Sequence, residues 1–294
     1  MLNEPGTERN LDAIARMNWL HSLYRRNGKI KDDDMLYTLS LFALEAIRWT
    51  RDLEWRQLTN LERCAMGVYW KNLGDAMEIP YDKLPSSKKG WVNASQWMDE
   101  LETWSEQYEA ENCVPDPVNR YVGDATINIG LTNVPPCLRP IGTQFAAALL
   151  SPRLRQSMLF EEPAMWMKWT LAGAIAIRRF IIQHMLLPRP PSSRMRWFSD
   201  EADAKTGNYH FEQYIGHPWY IKPSWERRWL RLNSWLLWLT GGYVPSITQN
   251  EYRPEGYKLA ELGPVRFEGK GKEEMDAARE AIAKMQKCPF HVRR

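Results

Sequence analysis

Among the residues of this sequence whose chemistry could carry a function, His21 stands apart by position. It continues the stripe Leu11, Ile14, Met17 and is followed by Tyr24, a spacing that puts all of them on one face of an α-helix. An imidazole facing a core either finds a hydrogen-bond partner and acts as a packing residue, or offers its lone pair to a metal such as iron. Met66 and Met77 carry a sulfur that can ligate haem iron, but methionine at helical spacing reads as core filler. The run Asp32-Asp33-Asp34 reads as a helix cap rather than a metal site, because three successive helical residues point in different directions. His184, His210, His217 and His291 show neither i, i+4 pairing nor an H-E-x-x-H motif, which leaves a mononuclear zinc or iron site without support. The G-x-S-x-G, P-loop and dinucleotide fingerprints are absent as well, so hydrolase and Rossmann dehydrogenase readings fall away.

The elements that must position these residues are helical. Asp32 and Asp33 cap a helix through Leu36, Leu39, Ala43 and Ile47, and its other face, with Leu41 and Leu44, is apolar too, which places it at the centre of the fold. Thr59 and Glu62 have capping-box spacing ahead of a helix with Met66, Trp70, Leu73 and Met77 on one stripe. The next helix turns Trp97, Leu101, Trp104 and Tyr108 inward and sets Asp99, Glu102, Glu106 and Glu109 outward as a solvated face. Ser151-Pro152 reads as an N-cap with proline at the first helical position, and the turn-rich stretch 188–223 reads as a long surface excursion. Beyond it, Trp225, Trp229, Leu232, Leu236 and Leu239 share one side of a helix that begins among Arg227, Arg228 and Arg231 and has Trp235 and Trp238 around its end. Such a helix suits a membrane surface, and it equally suits a place across the core with its arginines reaching for water. Residues 241–294 form a C-terminal extension with a mostly polar last helix. The expectation is an all-α protein with one domain over 1–294.

Composition narrows the classes. A chain of 294 residues can bury about three quarters of the surface that its unfolded form exposes, so one large core needs no staples. The net charge is only +3 and the basic residues are spread, which argues against nucleic acid as a partner. Fifteen tryptophans suit apolar pockets or a membrane surface. Cys64, Cys113, Cys137 and Cys288 lie far apart without a C-x-x-C pair, which makes a reducing compartment the default. No transmembrane span is expected. The longest apolar candidate, 166–187, contains Lys168, Arg178, Arg179 and His184, and its clean part from Trp169 to Ile177 is well short of the roughly 20 residues that cross a bilayer.

The wording around His21, Ala15-Arg16-Met17-Asn18-Trp19-Leu20-His21-Ser22-Leu23-Tyr24, is followed by Trp70-Lys71-Asn72-Leu73-Gly74-Asp75-Ala76-Met77. Leu36-Tyr37-Thr38-Leu39, Glu54-Trp55-Arg56, Val114-Pro115, Leu187-Pro188-Arg189-Pro190, His217-Pro218-Trp219-Tyr220 and Pro254-Glu255-Gly256-Tyr257 complete an ordered set. In that order these segments resemble the fungal branch of the rubber oxygenase (latex clearing protein) family, which includes the membrane-bound oxygenase of mycophenolic acid biosynthesis. The resemblance implies a globin-like helical core with additional helices, b-type haem (haem b) as cofactor, and dioxygen used to cleave a carbon-carbon double bond. The implied substrate is an isoprenoid or similar apolar, unsaturated chain in fungal secondary metabolism. Leu20-His21 matches the Leu-His pair whose histidine is the proximal ligand, and Arg16 and Arg25 on the same helix are implied to meet the propionates or orient the ligand. Relatives outside the fungal branch place an arginine closer to the histidine, where this chain has Asn18. Family members carry a long segment ahead of this region, with a membrane anchor in fungal forms and helices that supply distal polar residues, whereas only Met1 to Asn10 stand there in this sequence. The expectation is therefore an N-terminally shortened oxygenase domain, cytoplasmic or peripherally bound to the endoplasmic reticulum. The alternative is a non-catalytic helical remnant that serves as a scaffold or binds a partner.

Overall fold

The computed structural model describes the chain except residues 1–5, 194, 215–216, 223–234, 236–237, 241–251, 286–289 and 291–294. Trp225 and Trp229, and most of the helix expected around them, lie outside the described residues, as do Cys288 and His291. The fold is all-α: helices make up 62% of the described residues, and there is no strand among them. Those residues form two compact units, Met1–Asn112 with Leu259–Arg294, and Cys113–Lys258.

In the first unit, α1 (Glu8–Arg26) starts where the Thr7 hydroxyl accepts from the Asn10 amide at 3.3 Å, and it carries Arg25 and Arg26 in its last turn, where cations suit the helix dipole. The acidic run forms the first turn of α2 (Asp32–Leu53), where the Asp34 carboxylate accepts from the Lys31 amide at 3.1 Å, whereas Asp32 and Asp33, expected as the caps, lie inside the helix and pair with Arg25 and Lys83. α2 packs on α3 (Asn60–Ala76) and α4 (Ala94–Asn112). Leu36, Leu39 and Ala43 from α2, Leu73 from α3, and Trp97, Met98 and Leu101 from α4 form the buried centre. All four of the outward carboxylates of α4 bind neighbouring helices rather than water alone: Arg63 holds Asp99 at 2.7 Å, Arg48 holds Glu102 at 3.1 Å and Glu106 at 3.7 Å, and the Tyr37 hydroxyl donates to Glu109 at 3.1 Å. A last helix, α9 (Lys272–Met285), packs along α1, burying Met275 and Ile282, while Arg279 holds Asp12 at 3.2 Å. Gly74 is needed in α3 because a Cβ there would overlap the Tyr81 hydroxyl and approach Leu39 Cδ2 to 2.6 Å.

The capping box at the start of α3 has a measurable consequence. The Glu62 carboxylate accepts from Arg56 at 2.8 Å and from the Thr59 amide at 2.8 Å, and the Thr59 hydroxyl accepts from the Glu62 amide at 3.3 Å. The Arg56 contact foremost, then Thr59, pulls the Glu62 carboxyl down to about 2. Thr59→Ala should cost about 1 kcal/mol of stability in urea unfolding. A carboxyl held below its unfolded value contributes stability that is complete above its ordinary 4.5 and is lost as pH falls towards 2. Glu62→Gln should therefore be the less stable protein at neutral pH, and the difference should close on acidification; a gap independent of pH would contradict the assignment.

The second unit opens with α5 (Pro117–Gly130), where the Asp116 carboxylate accepts from the Val118 amide at 2.7 Å and proline takes the first turn. α6 (Arg139–Leu149) follows, then the short α7 (Pro152–Ser157), capped as the Ser151-Pro152 pair requires by the Ser151 hydroxyl accepting from the Leu154 amide at 3.2 Å. α8 (Met165–His184) packs against α6. The stretch beyond it is organised by isolated bridges, Phe198 with Phe211, Tyr209 with Tyr257 and Phe211 with Ile221, and by the rings of Phe198, Tyr220 and Tyr257 set edge-on around Phe211. No helix among the described residues is long and apolar enough to cross a membrane.

Candidate functional site

The first unit contains a pocket of about 320 Å³ walled by α1, α2, α3 and the chain after α3. That volume lies at the lower end of small-molecule sites, which run from about 300 to 1,000 Å³. Its lining is apolar apart from a few groups: Met17, Met35, Leu39, Leu73, Met77 and Ile79 supply most of the wall, and His21, Asp34, Thr38 and Trp70 supply the polar atoms. The reason is helical phase. Met17 and His21 are one turn apart on α1, Asp34, Thr38 and Phe42 follow at i, i+4 and i+8 on α2, and Trp70, Leu73 and Met77 continue the α3 stripe. One side is a stacked pair, Phe42 on Trp70, with ring centroids 5.7 Å apart and planes 16° from parallel.

His21 is half-buried, and its Nδ1 is sealed from solvent with no hydrogen-bond partner among the described residues. Burial first, and the Arg25 charge second, push its proton affinity below the ordinary histidine value, so the ring is neutral at physiological pH and keeps a lone pair to offer. Trp70 Nε1 is a second buried polar atom without a partner. The other polar groups are engaged. The Thr38 hydroxyl donates to the Asp34 carbonyl at 2.8 Å, and Asp34 accepts from the Tyr108 hydroxyl at 2.7 Å. Asn18 donates to the Ala76 carbonyl at 2.7 Å and so ties α1 to the end of α3 beside the pocket.

The two arginines expected near His21 part company. Arg25, one turn beyond His21, is ion-paired with Asp32 at 2.6 Å. Arg16 does not line the pocket: its guanidinium donates to the carbonyls of Leu262, Phe267 and Lys270, each at 2.9 Å, and lies over the Trp19 ring at 4.7 Å. Met77 lines the pocket and belongs to the core, as a methionine filling a gap does, whereas Met66 is not part of its wall. From the sequence, Asp34 is placed only in the acidic run and Thr38 and Phe42 are missed as pocket residues, although their i, i+4, i+8 spacing marks all of them as one face. Among the described residues no three histidine, cysteine, aspartate or glutamate side chains gather as a protein-only metal site requires.

An all-helical domain with a neutral histidine facing an apolar pocket defines a class of small-molecule proteins, and similarity narrows it further. The chain is 39% identical over 291 residues to the ER-bound oxygenase mpaB' of Penicillium brevicompactum, a match that covers 98% of this chain and 68% of the relative. It is 35% identical over 254 residues to the ER-bound oxygenase mpaB of the same organism, covering 86% of this chain and 58% of that protein. Against the ER-bound oxygenase mpaB of Penicillium roqueforti (strain FM164) the identity is 44% over 160 residues, 54% of each chain. The chain belongs to this family of ER-bound oxygenases and spans between about half and two thirds of the length of these relatives. No family model matches the sequence, and no solved structure matches it.

Proposed function

We propose that the protein is a haem-dependent oxygenase in fungal secondary metabolism that cleaves a carbon-carbon double bond of an isoprenoid or similar unsaturated chain with dioxygen, and that His21 is the proximal ligand. The observation that carries this reading is the half-buried imidazole of His21, a neutral ring on a rigid helix in the wall of an apolar pocket. A porphyrin brings its own nitrogen donors and asks the protein for one strong axial ligand and a dry surface, which is what the donor set here offers. Bound there, haem b would supply the dioxygen chemistry. The chain's own residues bind and exclude. Met17, Met35, Leu39 and Leu73 keep water from the ring face, the Trp70 N–H can donate to an acceptor atom of a bound molecule, and Arg25, one turn from the ligand, is held by its pair with Asp32. The names of the relatives support oxygenase chemistry over a scaffold role, and an unsatisfied polar atom kept in a core is costly unless a ligand uses it.

Peripheral contact with the endoplasmic reticulum belongs to the same reading, through Trp225, Trp229, Trp235 and Trp238. Trp235 and Trp238 are exposed, with rings 6.3 Å apart, and the relatives are named ER-bound. The test is direct. The chain made with haem supplied should show a Soret band and approach one haem per chain, and incubation with a prenylated aromatic and dioxygen should give carbonyl-ended fragments by mass spectrometry. A chain that folds, takes up no haem and leaves the alkene intact would overturn the reading.

A further inference from the structure

The outward face of α8 is apolar and open to solvent, with a neighbour at its start, where the Trp166 ring meets Phe145 of α6 edge-on at 6.2 Å between centroids. Trp166, Trp169, Ile177 and Phe180 are 57%, 69%, 63% and 59% exposed. Their spacing, i, i+3, i+11 and i+14, places all of them on one side of the helix, with Gly173 at i+7 between them. The opposite side is the packed one, where Met167 is buried and Leu171 and Ile175 are half-buried as α8 meets α6. The apolar surface continues past the helix end in Met185, Leu186 and Leu187, all exposed. Large exposed apolar patches on a soluble domain mark contact surfaces.

Charge says which contact. Between Glu162 and Asp200 the sequence has no acidic residue, yet it holds Lys168, Arg178, Arg179, Arg189, Arg194 and Arg196; Lys168 and Arg196 pair with the bounding Glu162 and Asp200, which leaves an excess of four arginines in a chain whose net charge is only +3. Arg178 is exposed beside the apolar stripe, and Arg189 is exposed just beyond it. A second copy of the chain is a poor occupant, because a two-fold contact would bring this cationic stretch against itself. Anionic lipid headgroups complement it, indole rings favour the headgroup boundary, and arginines reach from an apolar face to phosphate. The charges within α8 keep it from spanning, so it would lie in the plane of the surface.

We infer that the outward stripe of α8, Trp166, Trp169, Ile177 and Phe180, docks in the headgroup layer of an anionic membrane. This rests on the peripheral-membrane part of the function proposed above and is independent of its haem part. The experiment is co-flotation of the full chain with vesicles of phosphatidylcholine alone and with phosphatidylserine added. Wild type should bind the anionic vesicles at least about tenfold more strongly than the neutral ones. Trp169→Ser, Ile177→Ser and Phe180→Ser combined should lower that binding at least about tenfold while helicity and melting temperature stay unchanged. Gly173→Glu provides a second variant that does not disturb the fold, since a Cβ there meets nothing within 4 Å, and a negative charge at the centre of the stripe should weaken binding comparably. If wild type binds and both folded variants bind equally well, α8 is not the docking face and the membrane reading survives without it. If wild type binds neither vesicle, both are overturned. A dimer in solution that the variants dissociate would assign the face to a second copy instead.

Discussion

His21→Ala is expected to lose haem at least about tenfold while the fold remains. Three physical effects set the size and the contrast. On the proposed haem reading the substitution removes the one imidazole of α1 in the pocket wall, and Met17, Met35 and Met77 offer only thioethers, which are weaker donors. Stability should change little, within about 1 kcal/mol, because alanine is the better helix former and the lost packing of a half-buried ring is offset by removing an unsatisfied buried nitrogen. Imidazole added to the medium should then restore part of the haem signal by occupying the space the side chain vacates. The pH dependence follows from the lowered proton affinity of the ring. A histidine whose folded value lies below its unfolded 6.5 loses stability as pH falls through 6.5 and onward to the folded value, and the protonated ring no longer ligates. Haem binding by the wild type should therefore be flat from neutral pH upward and decline with acid. The measurement is haem per chain by pyridine complex absorbance, alongside urea unfolding; equal haem in wild type and variant would show that another residue holds the iron.

The sequence exposes what is local and periodic. The stripe that carries His21, the capping box at Thr59 and Glu62, the acidic first turn of α2 and the Ser151-Pro152 start of α7 are all set by neighbours within one or two helical turns, so spacing alone reveals them. The pocket was half legible: the α1 and α3 stripes name Met17, His21, Trp70, Leu73 and Met77, but the phase of α2 that contributes Asp34, Thr38 and Phe42 is hidden because that helix is apolar on more than one side. What stayed hidden depends on contacts between distant residues. The aromatic set around Phe211 closes through bridges to Phe198, Ile221 and Tyr257, in a stretch whose composition reads only as turns. The partners of Arg16 lie about 250 residues further along the chain, and nothing in its own helix announces them. Family resemblance supplied haem and the alkene, which no spacing in this chain would have named.

Arg16→Ala is the substitution expected to cost the most stability, and it separates two roles for that residue. The side chain is 3% exposed, and its planar guanidinium reaches carbonyls on both sides of the short helical turn Val265–Phe267, holding the segment that leads into α9 against α1. Charge-assisted hydrogen bonds of this kind are worth about 1.5–3 kcal/mol each, and they do not add fully because water reaches some of the freed carbonyls. A loss of about 3 kcal/mol is the expected result in urea unfolding, together with faster amide exchange from Leu259 to Met275 and little change around α4, whose core does not touch the clamp. Arg16→Lys should recover only part of the loss, since an ammonium lacks the planar fork that serves three carbonyls at once. If Arg16 instead met a haem propionate, as the family resemblance implies, the alanine variant would unfold within about 0.5 kcal/mol of wild type and lose haem at unchanged exchange rates. The geometry favours the clamp: Nε, Nη1 and Nη2 each already donate to the chain, and on a side chain that is 3% exposed and outside the pocket wall a propionate would have only the second Nη2 hydrogen to meet.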